Sequence, residues 1–199
     1  MTTYFPPIKT KLDILAALAA TTLEYTSILN GYFIDYFVVP KVKSYMPPVA
    51  LAVDIQHNFA GVPGTGDIPV VFSHTFDVAL FVAALLDQPK WDKESYVIGD
   101  RVTWNEFIRL AEEVKGAKFE VVYDSLEKLR RGEITELPSH PGLYPFFPKE
   151  ALQKMFAAFG IMFETGAFDM RPGRSLNNAF PEIKARGVKE LLGEAWGTV

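Results

Sequence analysis

The order of the first two predicted elements constrains the fold most strongly. Pro7 opens a helical pattern in which Ile8, Leu12, Leu15 and Leu18 recur at helical spacing, and Thr21 and Thr22 end it. A strand pattern over 23–29 follows and stops at the turn dipeptide Asn30-Gly31. A helix that leads into a strand is half of a βαβ unit, so we expect an α/β fold with parallel strands.

The rest of the chain continues this mixture. Short strands over 49–53 and 68–72 flank a glycine-rich loop and predict a small antiparallel excursion. Ser73 or Thr75 can cap a helix over 75–86, and the Thr103 to Glu106 capping box opens another, which Gly116 stops. The remaining predictions are strands over 95–98 and 118–123, helices over 124–131, 149–163 and 188–196, and a loop over 138–148.

Composition excludes several classes of protein. The 199 residues are 49% hydrophobic and carry a net charge of −4, which gives no electrostatic signature for nucleic acid or an anionic membrane. The absence of cysteine excludes disulfides, thiolate zinc sites and cysteine nucleophiles. The longest apolar run, 78–86, is too short to cross a bilayer, and Asp13 argues against a secretory signal. We therefore expect a cytoplasmic globular protein that forms one compact unit over 1–199.

Lys11 is a candidate proton donor. Lys9 can pair with Asp13 and face water, whereas the spacing of Lys11 from Ile8 and Leu15 places it in the apolar stripe of the first helix. A lysine there either extends its ammonium to solvent or is partly desolvated, and desolvation would suit it to general acid/base catalysis.

Other motifs carry weaker signals. Gly61, Gly64 and Gly66 precede a strand rather than a helix, so they do not predict a phosphate-binding loop. No histidine has a second ligand at zinc spacing, so we expect no metal site, and no nucleophile elbow is present. His74 lies at a helix start, where a structural role and a catalytic role both remain open.

The 149–163 helix is rich in aromatic side chains and methionine. Phe156 and Phe159 recur at core spacing, and Phe146, Phe147 and Phe168 add apolar surface nearby. This pattern fits either an ordinary core or the wall of an apolar ligand pocket.

Several segments together resemble the fungal form of the NmrA-like and isoflavone-reductase-like family of atypical short-chain dehydrogenases. The resemblance extends over nearly the whole chain and is specific in combination; the segments that carry it are 11–26, 25–37, 74–79, 89–91, 98–100, 103–106 and 111–113. The resemblance implies an NAD(P)-binding Rossmann half followed by a smaller part that shapes the substrate pocket. The likeness is to the second half, so the phosphate-binding loop is expected to be missing from this sequence.

The resemblance also implies roles for individual residues. Its catalytic lysine matches Lys11, and its segment beside the nicotinamide and substrate matches Asn30, Tyr32 and Phe33. With His74, Phe156 and Phe159 these are the candidate site residues. The expected fold is α/β, an incomplete Rossmann-like remnant over 1–37 and 95–123 with a small α+β substrate-binding part over 38–94 and 124–199. Strands 23–29 and 95–98 should be parallel and packed by the first helix and the Thr103 helix.

Three functions follow from this resemblance. The first is an NADP(H)-dependent oxidoreductase that acts on a small, largely apolar, specialised metabolite with a lysine general acid/base. The second is a cofactor-free binder, cyclase or isomerase. The third is a regulatory or interaction protein, in which uncovered sheet edges and helix faces require self-association or a partner chain.

Overall fold

The structure is a computed structural model that describes residues 6–197. The predicted unit of 1–199 therefore includes residues 1–5, 198 and 199, which lie outside the described part. The strands are β1 (Ser27–Leu29), β2 (Tyr32–Phe33), β3 (Val53–Asp54), β4 (Phe59–Pro63), β5 (Val70–Ser73), β6 (Glu94–Tyr96), β7 (Asp100–Val102) and β8 (Glu120–Asp124). The helices are α1 (Pro6–Ala19), α2 (Asp35–Val38), α3 (Thr75–Leu86), α4 (Trp104–Lys115), α5 (Leu126–Arg130), α6 (Lys149–Glu164), α7 (Leu176–Ala179) and α8 (Val188–Trp196), with a 3-10 turn at His140–Leu143.

The strands form three short sheets. β1 pairs with β6 in parallel, with Ile28 opposite Ser95, and this confirms the predicted parallel pair. β2 is parallel to β5, which is antiparallel to β7. In the third sheet β3 is antiparallel to β4, and β4 is parallel to β8.

The mixed sheets and flanking helices confirm the expected α/β class.

The predicted antiparallel excursion over 49–72 is wrong in most of its length. β3 and β4 alone in that segment pair antiparallel, while β4 and β5 enter different sheets as parallel partners of β8 and β2. Gly61 lies inside β4, where an added Cβ would come within 3.2 Å of the Thr135 side chain. The glycine-rich stretch is therefore partly a buried strand that needs a small residue for close packing.

The predicted helix cap is confirmed at α4 and is wrong at α3. Thr103 and Glu106 form the predicted capping box of α4, and Gly116 ends that helix with a left-handed backbone. At α3 the cap is His74, whose ring nitrogen accepts the Phe76 N–H, and not Ser73 or Thr75.

The helices that cover the β1–β6 pair also differ from the expectation. Phe81 and Leu85 of α3 and Leu176 of α7 pack with Val97 and Ile28 over this pair. α4 packs against α8, because its apolar stripe meets the buried face of that helix. α1 leaves Leu12 and Ile14 half exposed, so it contributes little cover among the described residues.

Candidate functional site

Tyr32 lies at the centre of an aromatic cluster. Its ring is 5.4 Å from Tyr36 and from Phe163 and 6.1 Å from Phe159. Burial, with a smaller contribution from Tyr36, raises the pKa of the Tyr32 hydroxyl far above its ordinary value. The fold thus brings two of the predicted site residues, Tyr32 and Phe159, into one neutral apolar cluster.

Three further predicted residues, Phe33, Asn30 and Phe156, are half buried or buried. Phe33 is half buried beside Ser73 in the β2–β5 pair, and Asn30 is half buried just before the turn that leads into β2. Phe156 is buried and packs against the His140 ring at 5.4 Å.

Lys11 is exposed on α1. Of the two alternatives that the sequence left open, the structure shows the one in which the Lys11 ammonium extends to solvent, and Leu12 beside it is half exposed. The accompanying expectation for Lys9 is confirmed, since its Nζ lies 2.6 Å from an oxygen of Asp13.

His74 belongs to a buried polar network that includes Asp35, a residue that the sequence reasoning did not assign to the site. Asp35 accepts hydrogen bonds of 2.5 Å from each of the Ser44 and Thr75 hydroxyls and one of 3.0 Å from the Thr75 N–H. The His74 Nε2 lies 3.6 Å from the same carboxylate. These bonds tie the start of α3 to the start of α2.

Arg186 completes this network from the chain before α8. Its guanidinium lies 3.0 Å from Asp77 Oδ1 and donates to His74 Nδ1 at 2.8 Å. His74 Nδ1 also accepts the Phe76 N–H, so the proton of the neutral ring is on Nε2, facing Asp35. The acidic first turn of α3 was visible in the sequence, but no local pattern pointed to Arg186 as its partner.

The glycine segment at 61–66 does not fit the pyrophosphate of a dinucleotide. A Cβ on Gly64 would collide with the Glu164 carboxylate, and that carboxylate accepts the Thr65 N–H at 3.1 Å. The Thr65 amide, which a phosphate would need as a donor, is therefore already bound to the Glu164 carboxylate.

An apolar cleft of about 340 Å³ lies between α2, the 48–56 segment, the 3-10 turn and the end of α8. Its size falls at the small end of the range for ligand pockets. Its walls are mainly aliphatic and aromatic: Tyr36, Phe37, Val39, Pro40, Pro48, Val49, Ala50, Val53, Ile55, Leu143 and Trp196, with Asp54, Gln56, Ser139 and Gly142.

Trp196 forms one fixed wall of this cleft. Its indole N–H donates to the Phe37 carbonyl at 2.8 Å, and the Lys41 ammonium lies 4.6 Å from its ring centre. Lys115 lies 5.3 Å from the same ring and donates to Asn58 Oδ1 at 2.6 Å and to the Ile55 carbonyl. Burial lowers the pKa of Lys115, against the smaller opposing effect of Asp54.

Asp54 is the buried carboxylate of the cleft, and its oxygens are already paired. Its Oδ1 is hydrogen-bonded to the His57 Nδ1 at 2.9 Å, and its Oδ2 accepts a hydrogen bond of 2.9 Å from the Ser139 N–H. Burial raises the pKa of the neighbouring Tyr36 hydroxyl, with help from Asp35. The cleft therefore presents flat apolar faces and little unpaired charge.

The predicted site residues do not line this cleft. Tyr32 stands directly behind it, with its ring 5.4 Å from Tyr36 and 6.2 Å from Phe37. Tyr36 and Phe37 end the 25–37 segment that carried the family resemblance, so the sequence held a signal for one wall. Asp54, Ser139 and Trp196 come from distant segments and were missed.

Residues 6–197 contain no helix with the length and apolar character that a membrane span requires. Within the same range no three His, Cys, Asp or Glu side chains are grouped as ligands for a metal ion.

Comparison with known proteins identifies relatives in sequence and in fold. No family model matches the chain. It is 35% identical over 181 residues to Oxidoreductase BOA1 of Botryotinia fuckeliana, a match that covers 89% of this chain and 56% of that protein. It is 25% identical over 187 residues to the isoflavone reductase homolog IRL of Zea mays, covering 92% of this chain and 56% of that one. The chain thus spans about half the length of the curated relatives it matches.

Two solved structures have the same fold over nearly the whole chain. AtPrR2 with NADP+ and (+)pinoresinol superposes with a TM-score of 0.66 at 21% identity, covering 93% of this chain and 55% of that one. A ternary complex of leucoanthocyanidin reductase from Vitis vinifera gives a TM-score of 0.68 at 17% identity, covering 94% and 60%.

Proposed function

This chain belongs to the isoflavone-reductase-like, NmrA-like family, and from that premise we propose that it takes part in the NADP(H)-dependent reduction of a small, largely apolar metabolite in the cytoplasm. The observation that carries the proposal is the 35% identity to Oxidoreductase BOA1 over 89% of the chain. The NADP+ in the AtPrR2 structure supports the choice of nucleotide.

The apolar cleft is the proposed substrate site. The rings of Tyr36 and Trp196 offer flat faces to a ring compound, and aliphatic side chains exclude water from the remainder of the wall. The aromatic cluster around Tyr32 and Phe159 supports the Tyr36 wall from behind. Phe156 supports the His140 side of the cleft in the same way.

Lys11 is the proposed general acid/base. Its accessible ammonium can give a proton from Nζ to the oxygen of a carbonyl that is being reduced. Bound NADP(H) supplies the hydride in this chemistry. Asn30 and Phe33 are proposed to lie beside the nicotinamide and substrate, and His74 to hold the Asp35 and Arg186 network that positions α2.

The residues of this chain do not account for the whole nucleotide site. The glycine segment that ends at Gly66 does not fit a pyrophosphate, so we assign no residue of 6–197 to that group. We also propose that a second copy or a partner chain covers the exposed apolar residues Leu12, Ile14 and Leu23.

Thermal unfolding of the purified chain with and without millimolar NADPH tests the proposal, with ATP at the same concentration as the control for a general polyphosphate effect. Ligand at one hundred times its dissociation constant adds about 2.7 kcal/mol of stability. A shift with NADPH alone, together with a molar mass by light scattering, supports the reductase and reports any self-association. A folded chain that shows no shift and oxidises no NADPH favours the cofactor-free or regulatory alternatives.

A further inference from the structure

We propose that the outer face of α3 is the surface through which two copies of this chain associate, with their α3 helices antiparallel across a twofold axis. This outer face consists of Phe76, Ala79, Leu80, Ala83, Leu86 and Asp87. The proposal goes beyond the proposed function, because the association requires neither nucleotide nor substrate. The composition of α3, the exposure of its outer face and the charges at the two ends of that face carry it.

α3 is apolar on all sides. Its 12 residues include one charged side chain, that of Asp77, which is buried and paired with Arg186. A helix of this composition is ordinarily covered all round. The inner side of α3 meets that expectation, because Phe81 and Leu85 pack over the β1–β6 pair. The outer face has no such cover among the described residues.

The outer face is a continuous exposed surface. Leu80 and Leu86 are 56% and 61% exposed. Ala79 and Ala83 are exposed beside them. The six positions of the face recur at intervals of three or four residues, which places them along one side of the helix. An apolar helix face that is open to water is typical of a surface that binds another polypeptide.

The two ends of the outer face carry opposite charges. At the N-terminal end, the Lys43 ammonium lies 5.2 Å from the centre of the Phe76 ring, and the exposed Tyr45 ring lies 5.8 Å from it. At the C-terminal end, Asp87 is exposed and caps the last turn of α3. Neither Lys43 nor Asp87 forms an ion pair with a described residue. Lys90, which follows closely, lines a separate hollow beside β6.

An antiparallel pair of these faces matches the charges at both ends. A twofold axis midway along the face places Leu80 opposite Ala83 of the second copy. It also places Phe76, with Lys43 above it, opposite Asp87 of the second copy. The same contact recurs at the other end, because a twofold axis repeats every contact. A parallel pair would instead bring like charges together, which is unfavourable.

This self-complementarity is the reason to assign the face to a second copy. The chain already carries both halves of the charge pattern, one at each end of an apolar helix side of about 16 Å at a rise of 1.5 Å per residue. A different polypeptide would have to supply a matching pattern of its own.

The oligomeric state of the full chain tests the proposal. Sedimentation equilibrium over a range of micromolar concentrations should give a species of twice the mass of the chain. Leu80→Glu places a charge at the centre of the face and should weaken the dimer at least about tenfold. The control is Val122→Glu, on the exposed side of β8 in a different sheet, which should leave the dimer unchanged.

Charge reversal tests the antiparallel arrangement. Lys43→Glu and Asp87→Lys each create two like-charge contacts in a homodimer, and each should weaken self-association about tenfold. An equimolar mixture of the two variants restores two opposite-charge contacts, so a heterodimer should form with nearly native affinity. A chain that carries both substitutions should also dimerise.

Three results would overturn the proposal. The first is a native chain that stays monomeric at every concentration, in which case the face is open to a different polypeptide. The second is a dimer that a folded Leu80→Glu leaves as tight as the native one. The third is a mixture of Lys43→Glu and Asp87→Lys that associates no better than either variant alone. Thermal unfolding shows whether each variant is folded, and the mixture keeps its meaning even if Leu80→Glu does not fold.

Discussion

The Nε2 of His140 donates a hydrogen bond of 2.8 Å to the carbonyl of Ala50, and this bond joins two walls of the apolar cleft. The ring is neutral in this arrangement, because its Nδ1 accepts the Leu137 N–H at 3.1 Å. Burial lowers the pKa of His140, while the bond to Ala50 and the charges of Glu136 and Asp54 oppose that effect only in part.

This arrangement predicts a loss of stability in mild acid. Protonation of His140 requires a hydrogen on Nδ1 and breaks the bond from Leu137. The folded pKa lies below the unfolded value of about 6.5, so between these two values the unfolded chain binds more protons and stability falls as pH drops. Urea unfolding at several pH values from about 8 to 5 should show this fall, and His140→Gln should show a smaller one. If the unfolding free energy of His140→Gln falls with pH as steeply as that of the native chain, His140 is not the source of the fall.

Gly31 and Gly116 both have left-handed backbones, but they differ in the space around them. A Cβ on Gly31, at φ +74°, would lie 2.2 Å from the Val71 carbonyl oxygen in β5, whereas Gly116, at φ +63°, has no atom within 4 Å. Gly116→Ala should therefore cost only the backbone strain, about 1–2 kcal/mol. Gly31→Ala should cost at least about twice as much, because a sheet backbone must also move. Denaturant unfolding of the two variants measures the difference, and equal losses would contradict the packing argument.

The sequence was most informative where the determining interactions are local. The capping box of Thr103 and Glu106 is complete within four residues, and the helix that it opens was predicted correctly. The cleft, in contrast, combines Tyr36, Asp54 and Ser139 with Trp196 from the far end of the chain, and no periodicity reports that meeting.

Lys11 illustrates a second limit of sequence patterns. Helical spacing identified the apolar face of α1, but it did not reveal whether another element covers that face. Leu12 and Ile14 remain half exposed in the described structure, so of the two alternatives for Lys11 the solvent-exposed one is found there. Periodicity gives the direction of a side chain, and tertiary packing decides its environment.

Asp35 should be essential for the stability of the α2–α3 junction. Its carboxylate accepts hydrogen bonds from the hydroxyls of Ser44 and Thr75 and from the Thr75 N–H. Asp35→Asn would turn an amide NH2 toward donors and leave buried groups unpaired, at a cost of about 2–4 kcal/mol. Ser44→Ala removes a single donor and should cost about 1 kcal/mol. Chemical unfolding gives both values, and a ranking in which Ser44→Ala is the more damaging would refute this account.

Lys11→Ala tests the proposed proton donor, with Lys9→Ala as its matched control on the same helix. Both lysines are exposed, so each variant should keep its unfolding free energy within about 0.5 kcal/mol of the native chain. Loss of a general acid reduces turnover by roughly 10²–10⁴-fold, so Lys11→Ala should nearly abolish ketone reduction in an active preparation. Lys9 pairs with Asp13 at the surface, and its removal should leave the rate unchanged. NADPH oxidation with 1-indanone as the ketone measures both rates. If Lys11→Ala keeps both its stability and its turnover, Lys11 is not the proton donor of the reaction.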